Sequence, residues 1–304
     1  MKQISIIKNQ LVWFLISSLI IAVGCVFMVQ NMAKKGSPFN LGIDFTGGTS
    51  LLINVESAEA QYKDSGQLSS ELRLEINAKI RDVLNAGGIE HIQQTNVDKY
   101  YFLVKTSLDA PEKLQGILDG LRSSIGNYEV LETDFIGPTI GYELKQQSFW
   151  IVLVAIVLLL IYITFRFEFW AALSAIIALL HDALIVLGLT ALLGLEVNTA
   201  FVAALLTILG YSINDTIVIF DRIRENVNHM KGDFADIVDK SINQTIVRSI
   251  NTSITTLVVL LAIFLFGGAS LKDFALVLLI GIMSGTYSSI FIASPVLNAF
   301  KKMS

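Results

Sequence analysis

Six long apolar runs, with one long polar stretch between the first and the second, constrain this chain more than any other feature. The runs are residues 11–29, 149–165, 170–193, 199–220, 252–266 and 274–297. A helix needs about 20 mostly apolar residues to cross a bilayer. In hydrocarbon the backbone must satisfy its own hydrogen bonds, so each run predicts a spanning helix. Composition agrees: of 304 residues, 53% are hydrophobic and 16% charged, where a soluble domain carries roughly 25% charged. The expected fold is a polytopic α-helical membrane protein with six transmembrane helices and a small α+β extracytoplasmic domain between helices 1 and 2.

The same arithmetic excludes several classes. The net charge is −4, so no basic excess points to nucleic acid. A single cysteine, Cys25, excludes an internal disulfide framework and a Cys-based zinc cluster. Three histidines make no metal-binding tract, and no metal or cofactor is expected.

Lysine and arginine set the orientation. Lys2 and Lys8 precede helix 1, and Arg166 lies between helices 2 and 3. Arg222, Arg224, Lys231, Lys240 and Arg248 fall between helices 4 and 5, and Lys301 and Lys302 close the chain. Six spans put all of these on one side, while the opposite short loops hold only Lys272. Both termini are therefore expected on the cytoplasmic side of the membrane. The organisation reads as a tail and first helix over 1–32, an exported domain over 33–148, and a five-helix core over 149–304 with a short cytoplasmic loop at 221–251. The first run is longer than a signal-peptide core of about 7–15 residues and lacks an A-x-A-like site, which predicts an uncleaved anchor.

The exported segment carries folding signals. Leu72, Ile76, Ile80, Val83 and Leu84 keep helical spacing before Gly87-Gly88. Leu114, Ile117, Leu118 and Leu121 mark a second helix, with Asp109 and Glu112 as its capping box and Pro111 in its first turn. Strand-like stretches at 50–55, 100–106 and 128–133 flank both, giving an α+β arrangement. Its only histidine is His91, and no G-x-S-x-G occurs, so contact is its expected work and no enzyme is predicted.

Ionisable residues within spans are costly and point to function. His181-Asp182 lies near the middle of helix 3, and Asp215 lies in helix 4 within GYSINDTIVIFDR (210–222). Tyr211, Asp215, Val218 and Arg222 step by four, three and four and share a face. Arg222 can snorkel to the cytoplasmic interface, and Asp221 points elsewhere. Burial disfavours an ionised carboxylate, whereas a neighbouring arginine favours it, so a carboxyl set between the two can take up and release a proton. Arg248, followed by Ser249, Asn251, Thr252, Ser253, Thr255 and Thr256, is a candidate gated partner for Asp215. Each feature also has a plainer reading. Asp215 can be a structural hydrogen-bond node, Asp182 a packed pair with His181, and Asp221, Arg222, Arg224 and Glu225 a solvated helix end. The hydroxyl row and the GxxxG at Gly281 and Gly285 suit helix packing.

Four stretches carry a resemblance to a known family. LGIDFTGGT (41–49) and DFIGPTIGYEL (134–144) resemble signature motifs of the bacterial SecD/SecF proteins. GYSINDTIVIFDRIREN (210–226) and RSINTSITTL (248–257) resemble the SecF version of the membrane core. The one-plus-five topology and the size of the exported segment resemble that branch too. The resemblance implies a partner, SecD, forming a pseudo-symmetric twelve-helix unit, association with the SecYEG channel and in some organisms YajC, and contact with a translocating unfolded polypeptide. It implies use of the proton motive force for export after the SecA-driven step, with sodium left open as coupling ion. Asp215 and Arg248 match residues of the proton path, and Asp182 belongs to a matching HD pair. Gly42, Asp44, Gly47 and Gly48 match an element that shapes the junction between exported domain and membrane. Alternatives are a proton-driven exporter of small amphiphiles or lipids, a non-transporting assembly factor, and an intramembrane aspartyl hydrolase using Asp182 and Asp215.

Overall fold

A computed structural model describes residues 5–86, 92–96, 100–106 and 111–303. Gly87, Gly88, His91 and Asp109 lie outside the described residues, as does the side chain of Glu112. The chain divides into two compact units, one of residues 1–40 and 150–304 and the other of residues 41–149.

The first unit is helical. Six helices among the described residues are long and apolar enough to cross a membrane. They are α1 (Gln10–Lys35), α6 (Pro138–Arg166), α7 (Phe169–Leu193), α8 (Thr199–His229), α9 (Phe234–Phe266) and a last span made of α10 (Ala269–Ser288), a π-turn (Ser289–Ala293) and α11 (Ser294–Met303). The chain is a multi-pass membrane protein. α6 runs through the unit boundary, and only its part from Trp150 belongs here.

The six spans fall into two groups. In its most apolar stretch, half of α7 and of α8 is buried and 67% of the last span, against 11% of α1 and of α6 and 17% of α9. The three inner helices also hold most of this unit's buried polar residues, among them Ser174, His181, Asp182, Ser212, Asp215, Thr216, Ser284, Ser288 and Ser289. Outer helices present Leu, Ile and Val outward instead. Hydrocarbon gives apolar side chains no reason to hide, while polar ones must find protein partners, so this inversion follows from the solvent.

Small residues set the close approaches. A Cβ at Gly285 would stand 2.8 Å from Ser212 Cβ, and one at Gly281 would overlap the side chain of Ile208, so the GxxxG seats α10 directly on α8. Gly24 and Gly188 bring α1 and α7 together in the same way, with Gly24 Cα 2.9 Å from a Cβ at Gly188.

The segment 221–251 is not the loop expected from sequence. α8 continues to His229 and α9 starts at Phe234, leaving only 230–233 as connection. The apolar run ends where the helix leaves the bilayer, but its hydrogen bonding continues, so apolarity marks the membrane boundary and not the helix boundary. Polar ties secure this end. Asp239 Oδ1 accepts from Ile6 N at 2.9 Å and Ile7 N at 3.0 Å, and Asn226 Nδ2 donates to Ser241 Oγ at 2.8 Å and Gln244 Oε1 at 2.9 Å. The carboxylate thereby takes up orphan N–H groups at the start of the first span.

The second unit is an α+β layer pair. Two-residue strands occur at Asn40–Leu41 (β1) and Glu196–Val197 (β6), outside its main sheet. That sheet is antiparallel, in the order β3-β4-β2-β5, with β2 spanning Gly48–Val55, β3 Ile92–Asn96, β4 Tyr101–Thr106 and β5 Tyr128–Ile136. Helices α3 (Glu56–Ser65), α4 (Ser70–Ala86) and α5 (Pro111–Ile125) complete it. Leu51, Ile53 and Val55 alternate on β2 and meet Phe102 and Val104 of β4, Ile76, Ile80 and Leu84 of α4, and Ile117, Leu121 and Ile125 of α5. The period of two on the strands and of about 3.6 on the helices produces this core. β3 and α3 have no sequence signal of that kind. IQQTN has one apolar residue, and ESAEAQYKDS buries only Ala58.

Candidate functional site

Among the described residues, two carboxylates are buried within the spanning helices. Asp182 of α7 is fully buried. Its Oδ2 accepts from Ser212 Oγ and Ser288 Oγ, both at 2.6 Å, and its Oδ1 accepts from Ser284 Oγ at 2.7 Å. His181 Nδ1 lies 3.0 Å from Oδ1. The three serines come from α8 and α10, so one carboxylate ties α7, α8 and α10 together. O–H···O separations this short are those of charge-assisted bonds. The His181 ring stacks on Tyr287 at 6.1 Å, and Tyr287 Oη donates to Trp13 O at 2.9 Å, extending the network to α1.

Asp215 of α8 is buried to 2% exposure, yet its Oδ2 has no hydrogen-bond partner. Hydroxyls of two other helices reach its carboxyl as loose hydrogen-bonding neighbours, Thr286 of α10 and Ser249 and Ser253 of α9, together with the charge of Arg248. Ser249 Oγ is likewise buried without a partner. Ser253 Oγ instead pairs with Thr286 Oγ1 at 2.5 Å and donates to Ser249 O at 2.9 Å. One turn away, Tyr211 Oη and Thr256 Oγ1 are 3.3 Å apart. A buried unpartnered carboxylate oxygen is costly and marks an unfinished interaction.

The candidate relay residues thus separate. Asp215 faces the α9–α10 side, whereas Asp182 is enclosed by serines. Arg248 is exposed on α9 and makes no ion pair with Asp215 among the described residues. Arg222 pairs with Glu225 at 2.9 Å, not with Asp215. Asp221 pairs with Arg166 at 2.6 Å and Arg224 at 3.5 Å, linking α8 to α6. Asn214, Arg248, Asn251, Thr252 and Thr255 are exposed on α8 and α9. Polar side chains at membrane depth are expensive against lipid, so this face calls for a protein cover.

The junction motif forms a second site within the 41–149 unit. Gly42 precedes the one-turn helix α2 (Ile43–Thr46), which carries Asp44 and ends at Gly47 with φ +73°. Gly48 follows at φ +136° and pairs with Ile136. A Cβ at Gly47 would stand 2.9 Å from Pro138 Cα, one at Gly141 2.8 Å from Gly47 N, and one at Gly48 would overlap Thr106 O. Stretches 41–49 and 134–144, distant in sequence, therefore pack backbone to backbone, and only glycine fits at those positions.

Sequence reasoning missed Ser284, Ser288 and Thr286 as site residues. Their signal was present in the last apolar run, where Ser284 and Ser288 repeat at i, i+4 and share a face.

Comparison with known proteins decides the family. Residues 117–303 match the model "Protein export membrane protein SecD/SecF, C-terminal", and residues 36–59 match the "SecD/SecF GG Motif". The chain is 40% identical over 307 residues to the protein translocase subunit SecF of Sebaldella termitidis, covering 98% of this chain and 93% of that one. The chain belongs to the SecD/SecF family. Against the SecDF subunit of Thermus thermophilus it is 39% identical over 92% of its length, covering 36% of that longer chain. The crystal structure of SecDF from the same organism, described as a translocon-associated membrane protein, matches with a TM-score of 0.83 and 36% identity, over 99% of this chain and 39% of that one. Gly42, Asp44, Gly47 and Gly48 fall in the GG-motif segment, and Asp182, Asp215, Asp221, Arg222 and Arg248 in the larger SecD/SecF match.

Proposed function

We propose that this chain performs the SecF role in protein export, moving with SecD as partner and working alongside the SecYEG channel, with YajC as a further associate. It is a transport subunit and not an enzyme, and it resides in the bacterial inner membrane with both termini cytoplasmic. The positive charges from Arg166 through Lys302 support that orientation. The exposed polar face of α8 and α9 is then the surface that SecD covers, and the family match to a SecDF chain more than twice as long supports it.

The observation that carries the proposal is the unpartnered Oδ2 of Asp215. Its neighbours Thr286, Ser249, Ser253 and Arg248 stand on helices other than its own. Protonation removes the buried charge and its attraction to Arg248, and α9 repacks against α8 and α10. The Asp182 cage holds α7, α8 and α10 as one body, and α9, which that cage does not include, is the element that responds. The chain joins this bundle to the 41–149 unit through the glycine-bearing stretches 36–48 and 134–149, and that unit contacts the emerging polypeptide. A proton crossing about 100 mV supplies about 2.3 kcal/mol, so repeated protonation drives a sizeable motion. Sodium is the alternative ion for the same site.

Export of a secretory precursor in cells depleted of the native protein tests this. Asp215→Asn, present at wild-type level and co-purifying with SecD, is expected to lose the response to the proton motive force. Wild-type export by that variant would instead favour a role in assembly alone.

A further inference from the structure

Strand β5 ends the four-stranded sheet, and its outer edge has no partner strand among the described residues. It is nine residues long, against five for β3 at the opposite edge. From Glu129 to Phe135 every residue is exposed, so both faces of the strand as well as its edge are open. Native edges are blunted by charged side chains, proline, bulges or a cover; the sequence YEVLETDFI has no lysine or proline and carries three carboxylates instead. It has a bulge at Leu131, where the register with β2 shifts between Leu52 and Ile53. Apolar Val130, Leu131 and Phe135 alternate there with Glu129, Glu132 and Asp134. These three carboxylates form no ion pair among the described residues.

We infer that the β5 edge takes up an extended segment of the passing polypeptide as an added strand, favouring segments that mix basic and apolar residues. Every second residue of a free edge offers an N–H and a C=O outward, and such main-chain bonds do not depend on the sequence of the incoming chain. That suits a site that must handle many unrelated polypeptides. Three unpaired carboxylates repel a second copy of the same strand and attract basic residues, which sets the preference. The inference rests on the reading above that the 41–149 unit contacts the exported chain, and it assigns that contact to one strand.

Site-specific photocrosslinking in the full-length protein, assembled with SecD and complementing export, tests it. Benzoylphenylalanine replaces Glu132 on β5 or Arg81 on the exposed surface of α4, and a secretory precursor is stalled in transit. The precursor carries a Lys/Leu or a Glu/Leu segment. Expected is a precursor crosslink at position 132 that is strong for Lys/Leu, largely lost for Glu/Leu, and absent at position 81. A crosslink at 81 alone overturns the inference but leaves the wider reading intact. A crosslink from 132 to SecD that persists without precursor also overturns it, because the edge is then a subunit interface. Crosslinks at neither position, with export still driven by the proton motive force, remove the contact reading together with the inference.

Discussion

Asp182 and Asp215 sit in the same bundle, both shielded from water and both near hydroxyls of two other helices, and they differ in how completely they are hydrogen-bonded. Asp182 receives three serine hydroxyls between 2.6 and 2.7 Å and the imidazole of His181. Asp215 has the Thr286, Ser249 and Ser253 hydroxyls as hydrogen-bonding neighbours, but none closes a short bond on its Oδ2, which stays open. A carboxylate whose hydrogen bonds are complete is fixed in one state, because moving it breaks several bonds worth about 1.5–3 kcal/mol each. A carboxylate with incomplete partners gains by changing protonation or geometry. The contrast therefore separates a clamp from a switch, and burial alone does not distinguish them.

The sharpest way to break the comparison is to remove the clamp. Asp182→Ala removes the shared acceptor of three buried serine hydroxyls, and at about 1–3 kcal/mol for each hydroxyl left unsatisfied a loss of about 3–5 kcal/mol is expected, read as a large fall in melting temperature in lipid nanodiscs. Asp182→Asn retains one acceptor oxygen and is expected to cost less, about 1–3 kcal/mol. Gly285→Leu drives a side chain into Ser212, which supplies one of the clamp's hydroxyls, and about 1–3 kcal/mol of overpacking is expected in the same assay. Asp215→Asn is expected to change stability by less than about 1 kcal/mol while abolishing the response of export to the proton motive force.

The smallest effect lies in the 41–149 unit, where Lys63 and then Asn54 hold the Glu59 carboxyl below its ordinary range. A lowered native value means that the contribution is present above the unfolded value and is lost as pH falls through the native one. Glu59→Gln is therefore expected to flatten the acid limb of an unfolding-against-pH curve only slightly.

Much of this was legible in the sequence. Apolar run length announced six spans, and strand and helix periodicity announced the core of Ile53, Ile80 and Leu121. Depth of burial for Asp182 and Asp215 followed from their position in spans. Their difference did not, because hydrogen-bond completeness depends on how α7, α8 and α10 rotate against each other. Asp182 and Asp215 are both met by hydroxyls from two other helices, yet only around Asp182 do those hydroxyls close bonds of 2.6–2.7 Å. The pairing of Gly47 with Pro138 and Gly141 was equally hidden, since it joins segments about ninety residues apart in sequence. Strand β3 escaped because its pairing with β4 rests on backbone, not on apolar alternation.

Difference infrared spectroscopy of the carboxyl C=O stretch, on the protein assembled with SecD and stepped down in pH, tests the central claim most directly. A buried carboxylic-acid band that grows in wild type and in Asp182→Asn, and vanishes in Asp215→Asn, is the predicted result. A band that survives in Asp215→Asn and vanishes in Asp182→Asn would contradict the account, because the titrating group would then be the one enclosed by serines.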